Sequence, residues 1–497
     1  MRPVLPPFPT GSWPCSRVLA DQKHRRAALA SLLLFGATAV AAQTAAVPPG
    51  RPLAFDEALQ LAWRVSGQVQ GARLDAEAKQ LQAQALERLD GPALNLTGFA
   101  GRVKTSFDLD LSRVAGAVNP VLGGVGPVLP GPDLPPVPNR WRTERVVDIT
   151  SLGLGASWPL YTGGRLQAVQ GLAGGRAQEA EAERLDAQDK EAALVAQRYF
   201  AVQLAQRAAR VRSEATAGIA EHHRMATRLE QGGLIARAER LRADVALDGA
   251  RRDEAKARSD LEIARVALDR LLASPQPVRP TTPLFVHRQP VGALQSFVDA
   301  GLAHHPAWKK IDSKREQAAQ ALRLQGSEHA PTVLAVANYN LNHGKDKAVE
   351  PNWFFGVMMS MPLVGRIDKA KTREAARLEQ QRVEVTAEQA GRDIPTLIEK
   401  QWRAMEQARV QFLSMGSTLE LSQEDLRLQT ASFQQGQSTS VDVTDARLRL
   451  AKAEIERTQA AYEYVMALAR LLEASGQPQR LPELAATADI VLPLEAE

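Results

Sequence analysis

Apolar positions along this chain recur with two different periods, and the switches between them lay out its architecture. From Phe55 to Leu89, Leu59, Ala62 and Trp63, then Val69, Ala72 and Ala76, return at the spacing of a helix that buries one face. Leu294 to Gly326 carries a second helix of this kind. Each gives way to short, strand-like runs. In the later part of the chain these are Thr332 to Asn340 and Trp353 to Met361, on either side of a polar Asn/His/Gly/Lys/Asp turn. Their length is that of a tilted strand crossing a bilayer core, about 9–11 residues. The matching earlier strands run from about Leu94 to Val103 and from Val146 to Trp158. After Pro159 and again after Pro362 the pattern becomes unbroken Ala/Leu/Gln/Glu/Arg helix, with small faces flanked by charge, as in long antiparallel coiled coils. Arg165 to Gln231 alone is 67 residues, which at 1.5 Å per residue is about 100 Å. Turns at Gly232-Gly233 and at Gly436 send the chain back into helices ending near Leu272 and Leu472.

The order helix, two strands, two long helices therefore occurs twice. Gly67 to Pro92 and Pro306 to Pro331 both span 25 residues, and Pro159 to Gly233 and Pro362 to Gly436 both span 74. The offset between copies is 239 before the second pair of strands and 203 after it, so the first copy carries a 36-residue insertion. The Gly- and Pro-rich stretch 114–140 accounts for it and reads as a long exposed loop, because proline cannot join a sheet ladder. The predicted organisation is a signal peptide at 1–42, a first repeat at 43–272, a linker at 273–293, a second repeat at 294–475 and a C-terminal tail at 476–497. Lys23 to Arg26 followed by the apolar run Ala27 to Ala42 supports the signal peptide. The stretch before Lys23 is long for a leader, so translation could begin after Met1.

Composition narrows the function classes. The single cysteine, Cys15, precedes the signal core, which removes disulfides, thiol catalysis and cysteine-held metal. Net charge is +5, but acids and bases alternate along the helices, so no nucleic-acid footprint emerges. His222-His223 and His304-His305 are adjacent pairs whose members point to different helix faces. They, with His329 and His343, read as solvent-exposed and not as a metal site. No nucleophile elbow, phosphate loop or HExxH motif is present, so neither an enzyme nor a cofactor is expected. Trp141, Trp158, Tyr161, Tyr339, Trp353, Phe354 and Phe355 gather near the strand ends in a chain with 5% aromatics, which suits the girdles of an outer-membrane barrel. Four strands cannot close a barrel in lipid, where open edges leave backbone groups unpaired, so assembly into a ring is required.

Several spaced motifs together resemble the TolC-like outer-membrane efflux proteins, over about residues 53–475. They are Trp158-Pro-Leu-Tyr-Thr-Gly-Gly-Arg, its partner Met361-Pro-Leu-Val-Gly-Arg, and the turns Gly233-Leu-Ile-Ala and Gly436-Gln-Ser-Thr-Ser-Val-Asp-Val-Thr-Asp-Ala. The resemblance implies a mainly α fold with a membrane β-barrel. Each chain would give two structural repeats, part of a long α-helical coiled-coil barrel, and four strands of a trimeric 12-stranded β-barrel. It further implies an exit duct of a tripartite efflux or type I secretion system, a homotrimer in outer-membrane lipid whose tunnel extends into the periplasm. Its partners would be a periplasmic adaptor (membrane fusion) protein and an inner-membrane transporter of RND or ABC type. A soluble periplasmic coiled-coil scaffold is the competing reading.

Site residues follow from the same resemblance. Gly233, Leu234 and Ile235, with Gly436 and Gln437, would form the tips that touch the adaptor. Asp442 and Asp445, on one face of a helix start, would ring the pore constriction and favour cations. The alternative role for both acids is a favourable interaction with the helix dipole. The gate region reads Glu239, Phe433 and Ser438, where well-studied relatives have an Asp, a Tyr and an Arg. The missing Arg and Tyr hydroxyl rule out that lock, which leaves either other contacts at the tip or a looser closure.

Overall fold

The computed structural model describes residues 50–125, 135–341, 352–363 and 367–493. The signal peptide, Cys15, the polar turn of the second strand pair and Val364 to Arg366 of the second strand-to-helix motif lie outside them.

Each repeat opens with a broken helix where the periodicity predicted a continuous one. After the short strand β1 (Arg51–Leu53) come α1 (Phe55–Val65) and α2 (Gly67–Ala85). Ser66 interrupts them in an extended conformation, and its side chain accepts the Val69 N–H as an N-cap. The face predicted to be buried is buried at Leu59, Ala62, Val69 and Ala76. β2 (Ala93–Asp110) follows, then α3 (Ser112–Val125) and β3 (Arg140–Tyr161).

Two expectations need correction in this first strand pair. Both strands run beyond the bilayer-length segments, because the ladder continues through cross-strand ion pairs, Arg102 to Asp148 at 2.6 Å and Lys104 to Glu144 at 2.6 Å. The stretch 114–140 is also not loop throughout, since its first part lies in α3. The Asn119 amide ties that helix to the returning chain, donating to Val137 O and accepting from Val137 N, both at 2.8 Å.

The long helices come next: α4 (Arg165–Gln231, 67 residues) and α5 (Arg237–Leu271, 35 residues). The step from β3 into α4 passes through Gly163 and Gly164, both at positive φ (62° and 83°). A Cβ on Gly163 would lie 2.1 Å from the Ala330 side chain, so the Gly-Gly pair meets both a backbone and a packing demand. The second repeat follows β4 (Val278–Pro280) and β5 (Phe285–Val286). It comprises α6 (Leu294–His304), α7 (Pro306–Ser327), β6 (Thr332–Asn340), β7 (Trp353–Ser360), α8 (Lys369–Gln434, 66 residues) and α9 (Ser440–Ala474, 35 residues). The chain closes with α10 (Leu481–Ala486) and β8 (Ile490–Val491).

The strands of both repeats join one antiparallel sheet in the order β2-β3-β6-β7. Register sorts its faces. Leu96, Leu154, Tyr339 and Trp353 lie across from one another, as do Ala156, Ala337 and Phe355, so one face is an apolar, aromatic band. Asn95, Thr97, Ser157 and Asn338 point the other way. Within the band Leu94 is 74% exposed and Phe355 70%.

The core lies midway along α4 and α8 and at the far ends of α5 and α9, where these helices and α1 meet the segments that the sequence marked only as a linker and a tail. β1 pairs in parallel with β4, and β5 pairs with β8, bringing 273–293 and the C-terminal segment into the packing. Phe55, Tyr199, Phe200, Phe285 and Tyr464 interlock there, with ring centroids 5.2–6.4 Å apart. The buried Tyr199 hydroxyl donates to Leu53 O at 2.8 Å and accepts from Thr281 N at 2.9 Å and Thr282 N at 2.8 Å. Tyr199→Phe keeps the ring but strips three buried backbone groups of that partner, so we expect a loss of about 1–3 kcal/mol. The readout is a lower thermal midpoint of the purified protein followed by circular dichroism.

Candidate functional site

The two helical hairpins turn at the same end, and their turns have the same construction. Gly233 and Gly436 both sit at φ 73°. Leu234 N bonds to Leu229 O at 2.8 Å, and Gln437 N to Ser432 O at 2.9 Å, a six-residue closure that uses carbonyls left free at a helix end. Glycine carries the left-handed residue without the Cβ penalty in each. Gly233, Gly436 and Gln437 are exposed, and Leu234 stands out at 74% exposure. Ile235 differs from the other tip residues, because it packs against a small core of Ala226, Ala243, Phe433 and Val443.

Each hairpin carries its own charged clamp. Arg240 bonds Glu230 across the first turn and Asp244 along α5, each at 2.5 Å, and His223 Nε2 meets the other oxygen of Asp244 at 2.6 Å. In the second hairpin Arg449 reaches Asp425 at 2.8 Å.

The gate residues are brought to one place but do different work. Phe433 is 4% exposed and lies within the tip core. Ser438 Oγ donates back to Gln429 O at 3.1 Å, closing its own turn. Glu239 joins the two hairpins, with Oε2 accepting the Ser440 N–H at 3.0 Å while Arg242 holds Oε1. Contacts other than an Arg-based lock therefore connect the hairpins within one chain.

Asp442 and Asp445 separate in character. Asp442 forms a capping box with Thr439: its Oδ2 accepts from Thr439 N at 2.8 Å and from the hydroxyl at 2.7 Å, and Thr439 Oγ1 accepts the Asp442 N–H at 3.3 Å. The Thr439 hydroxyl and N–H hold its carboxyl below the usual carboxylate range. Asp445, one turn on, is exposed.

His222 corrects the sequence reading, in which the histidines were exposed. It is 5% exposed, its Nε2 lies 2.6 Å from Ser440 Oγ, and its ring meets Phe433 at 4.6 Å. Burial holds its pKa below the ordinary histidine value; Arg447 and His223 push the same way and Glu239 opposes them. Arg447 was missed as well. Its guanidinium lies so close to α4 that a Cβ on Gly218 would be 2.0 Å from Nη1, and its Nε is buried without a hydrogen-bond partner. Periodicity held a signal for His222, since Ala215, Ile219, His222 and Ala226 form one buried helical stripe. Among the described residues no group of three or more His, Cys, Asp or Glu could hold a metal ion.

Comparison with known proteins places this geometry. Residues 58–274 match the outer membrane efflux protein family. The matched segment spans the first repeat, less than half of the chain. Proteins of that family are channels and not enzymes. The TolC-like fold is shared with CusC, described as forming a transmembrane channel, at 17% identity and TM-score 0.69, covering 85% of this chain and 92% of that one. It is shared with the CmeC outer membrane channel of Campylobacter jejuni at 15% identity and TM-score 0.67, covering 88% and 90%. The open-state MtrE outer membrane channel of Neisseria gonorrhoeae matches at 20% identity and TM-score 0.68, covering 85% and 89%. No functionally curated protein matches the chain in sequence.

Thr439→Ala removes the cap of α9, at a cost of about 1 kcal/mol. Amide hydrogen exchange should speed up in the first turn of α9, whereas Asp445→Ala should leave it unchanged.

Proposed function

We propose that this chain is the outer-membrane exit duct of a tripartite efflux or type I secretion system. The observation that carries the reading is the four-stranded sheet: one face is an exposed apolar band, and β2 and β7 are each paired on one side only. In lipid an unpaired backbone group costs several kcal/mol, so these edges must find other copies. Three chains supply twelve strands, within the range of closed outer-membrane barrels. The helices then continue the barrel as a tunnel about 100 Å long, reaching through the periplasm.

The channel is passive, with energy supplied by an inner-membrane transporter of RND or ABC type. A periplasmic adaptor docks at the tips through Gly233, Leu234, Gly436 and Gln437, with Ile235 anchoring the first turn from behind. Asp445 and the capping Asp442 form rings of three at the narrow end and draw cations there. Glu239, Phe433 and Ser438 shape the closed tip.

Cell fractionation separates this reading from a periplasmic scaffold. Heat-modifiable trimers in the outer membrane are expected, and release by osmotic shock would refute the duct. In planar bilayers, Asp442→Ala with Asp445→Ala should abolish block by di- or trivalent cations added from the tip side. Asp445→Ala alone, which keeps the cap, should already weaken it; unchanged block in both variants would remove the acids from the pore.

A further inference from the structure

Three helices meet at one buried residue. Ser440, the first residue of α9, is fully buried; its hydroxyl faces His222 of α4 at 2.6 Å and its N–H is taken by Glu239 of α5 at 3.0 Å. The polar part of the first hairpin's hold on the start of α9 thus runs through one residue, by its side chain and its amide. Around this contact the packing is apolar, with the Phe433 ring of α8 against the imidazole and Ala226, Ala243 and Val443 beside it.

The charged and titratable groups facing His222 are few. Arg447 approaches from α9, its guanidinium pressed against α4 at Gly218 and its Nε buried without a hydrogen-bond partner. Glu239 approaches from α5 and already serves the Ser440 N–H and Arg242. His223, the neighbour on α4, is turned to Asp244. From α8 the ring meets Phe433, which carries no charge. A proton on His222 would therefore place a second buried cation beside Arg447, in a site whose one nearby acid is already engaged.

We propose that His222 is a proton-operated latch between the two helical hairpins. As the neutral ring it holds Ser440 and keeps the hairpins docked; as the cation it releases α9. The consequence for conductance rests on the proposed reading of this tip as the closed end of a channel. Burial first, then Arg447 and His223, hold the docked ring's pKa below its ordinary value, while a released ring titrates near ~6.5. The docked form is thus fully favoured above that pH and loses ground as pH falls toward the lower, docked value.

The test is amide hydrogen exchange of the full-length protein between about pH 7.5 and about pH 5.5, a window spanning the ordinary histidine pKa, corrected for the intrinsic pH dependence of exchange. Protection in the first turn of α9 and the last turns of α4 should fall several-fold on acidification. His222→Gln, which cannot titrate, should lose that response. Arg447→Met, which removes the neighbouring cation and leaves His222 in place, should blunt it. An acid response equal in the native chain and His222→Gln, or none in the native chain, overturns the latch. Bilayer conductance recorded over the same pH range separates the two claims: loosened hairpins without increased conductance would keep the latch and remove the tip as the closed end.

Discussion

An apolar sheet cannot remain open at both edges in lipid, and most of this molecule follows from that constraint. β2 and β7 leave rows of backbone donors and acceptors unpaired, while the face carrying Leu94, Trp353 and Phe355 rejects water. Neither problem has a solution within one chain. The proposed ring of three satisfies both, since the edges pair with neighbours and the band meets lipid. It also explains why the helices need so little core of their own: an Ala-rich face suits close helix packing between copies, and the alternating charges suit a water-facing wall.

Something must still hold four long helices and a sheet in one register, and the aromatic core beside β1 and β5 does so. Tyr199 ties β1 to the linker between β4 and β5 with one hydroxyl, and the Phe55, Phe200 and Phe285 rings fill the space around it. β5 and β8 recruit the chain's last segment, so what looks in sequence like a connector and a tail forms the belt on which both repeats hang. Because α4 and α8 pass through this belt and run on to the tip, while α5 and α9 start at the tip and end in it, shifts at the tip are constrained by packing in the belt.

The tip shows how a duplicated sequence acquires asymmetry. Both turns use glycine at the same φ and the same closing hydrogen bond, as the shared spacing of 74 residues requires. What connects the turns is not duplicated. Ser440 receives His222 and Glu239, and no reciprocal cluster relates the second hairpin's residues to the start of α5 in the same way. The contact at Ser440 therefore breaks the symmetry that the two turns otherwise share.

The periodicities, read alone, determined the order of the sheet strands and long helices, the length of α4 to the residue and the two turns, because each rests on local preference. They also marked the buried face of α1 and α2 at Leu59, Ala62, Val69 and Ala76. They did not determine where the first strand pair ends, since Lys104 and Glu144 lie outside the predicted strands and read as loop until the ladder brings them within 2.6 Å of each other. They left 273–293 and the tail without a place, because β5 and β8 are two residues each and become strands only by pairing across 200 positions. The tip divides the same way. Glycine turns are written locally, but the burial of His222, the cap made by Asp442 and the reach of Glu239 to Ser440 depend on two hairpins lying side by side, and only tertiary packing brings them there.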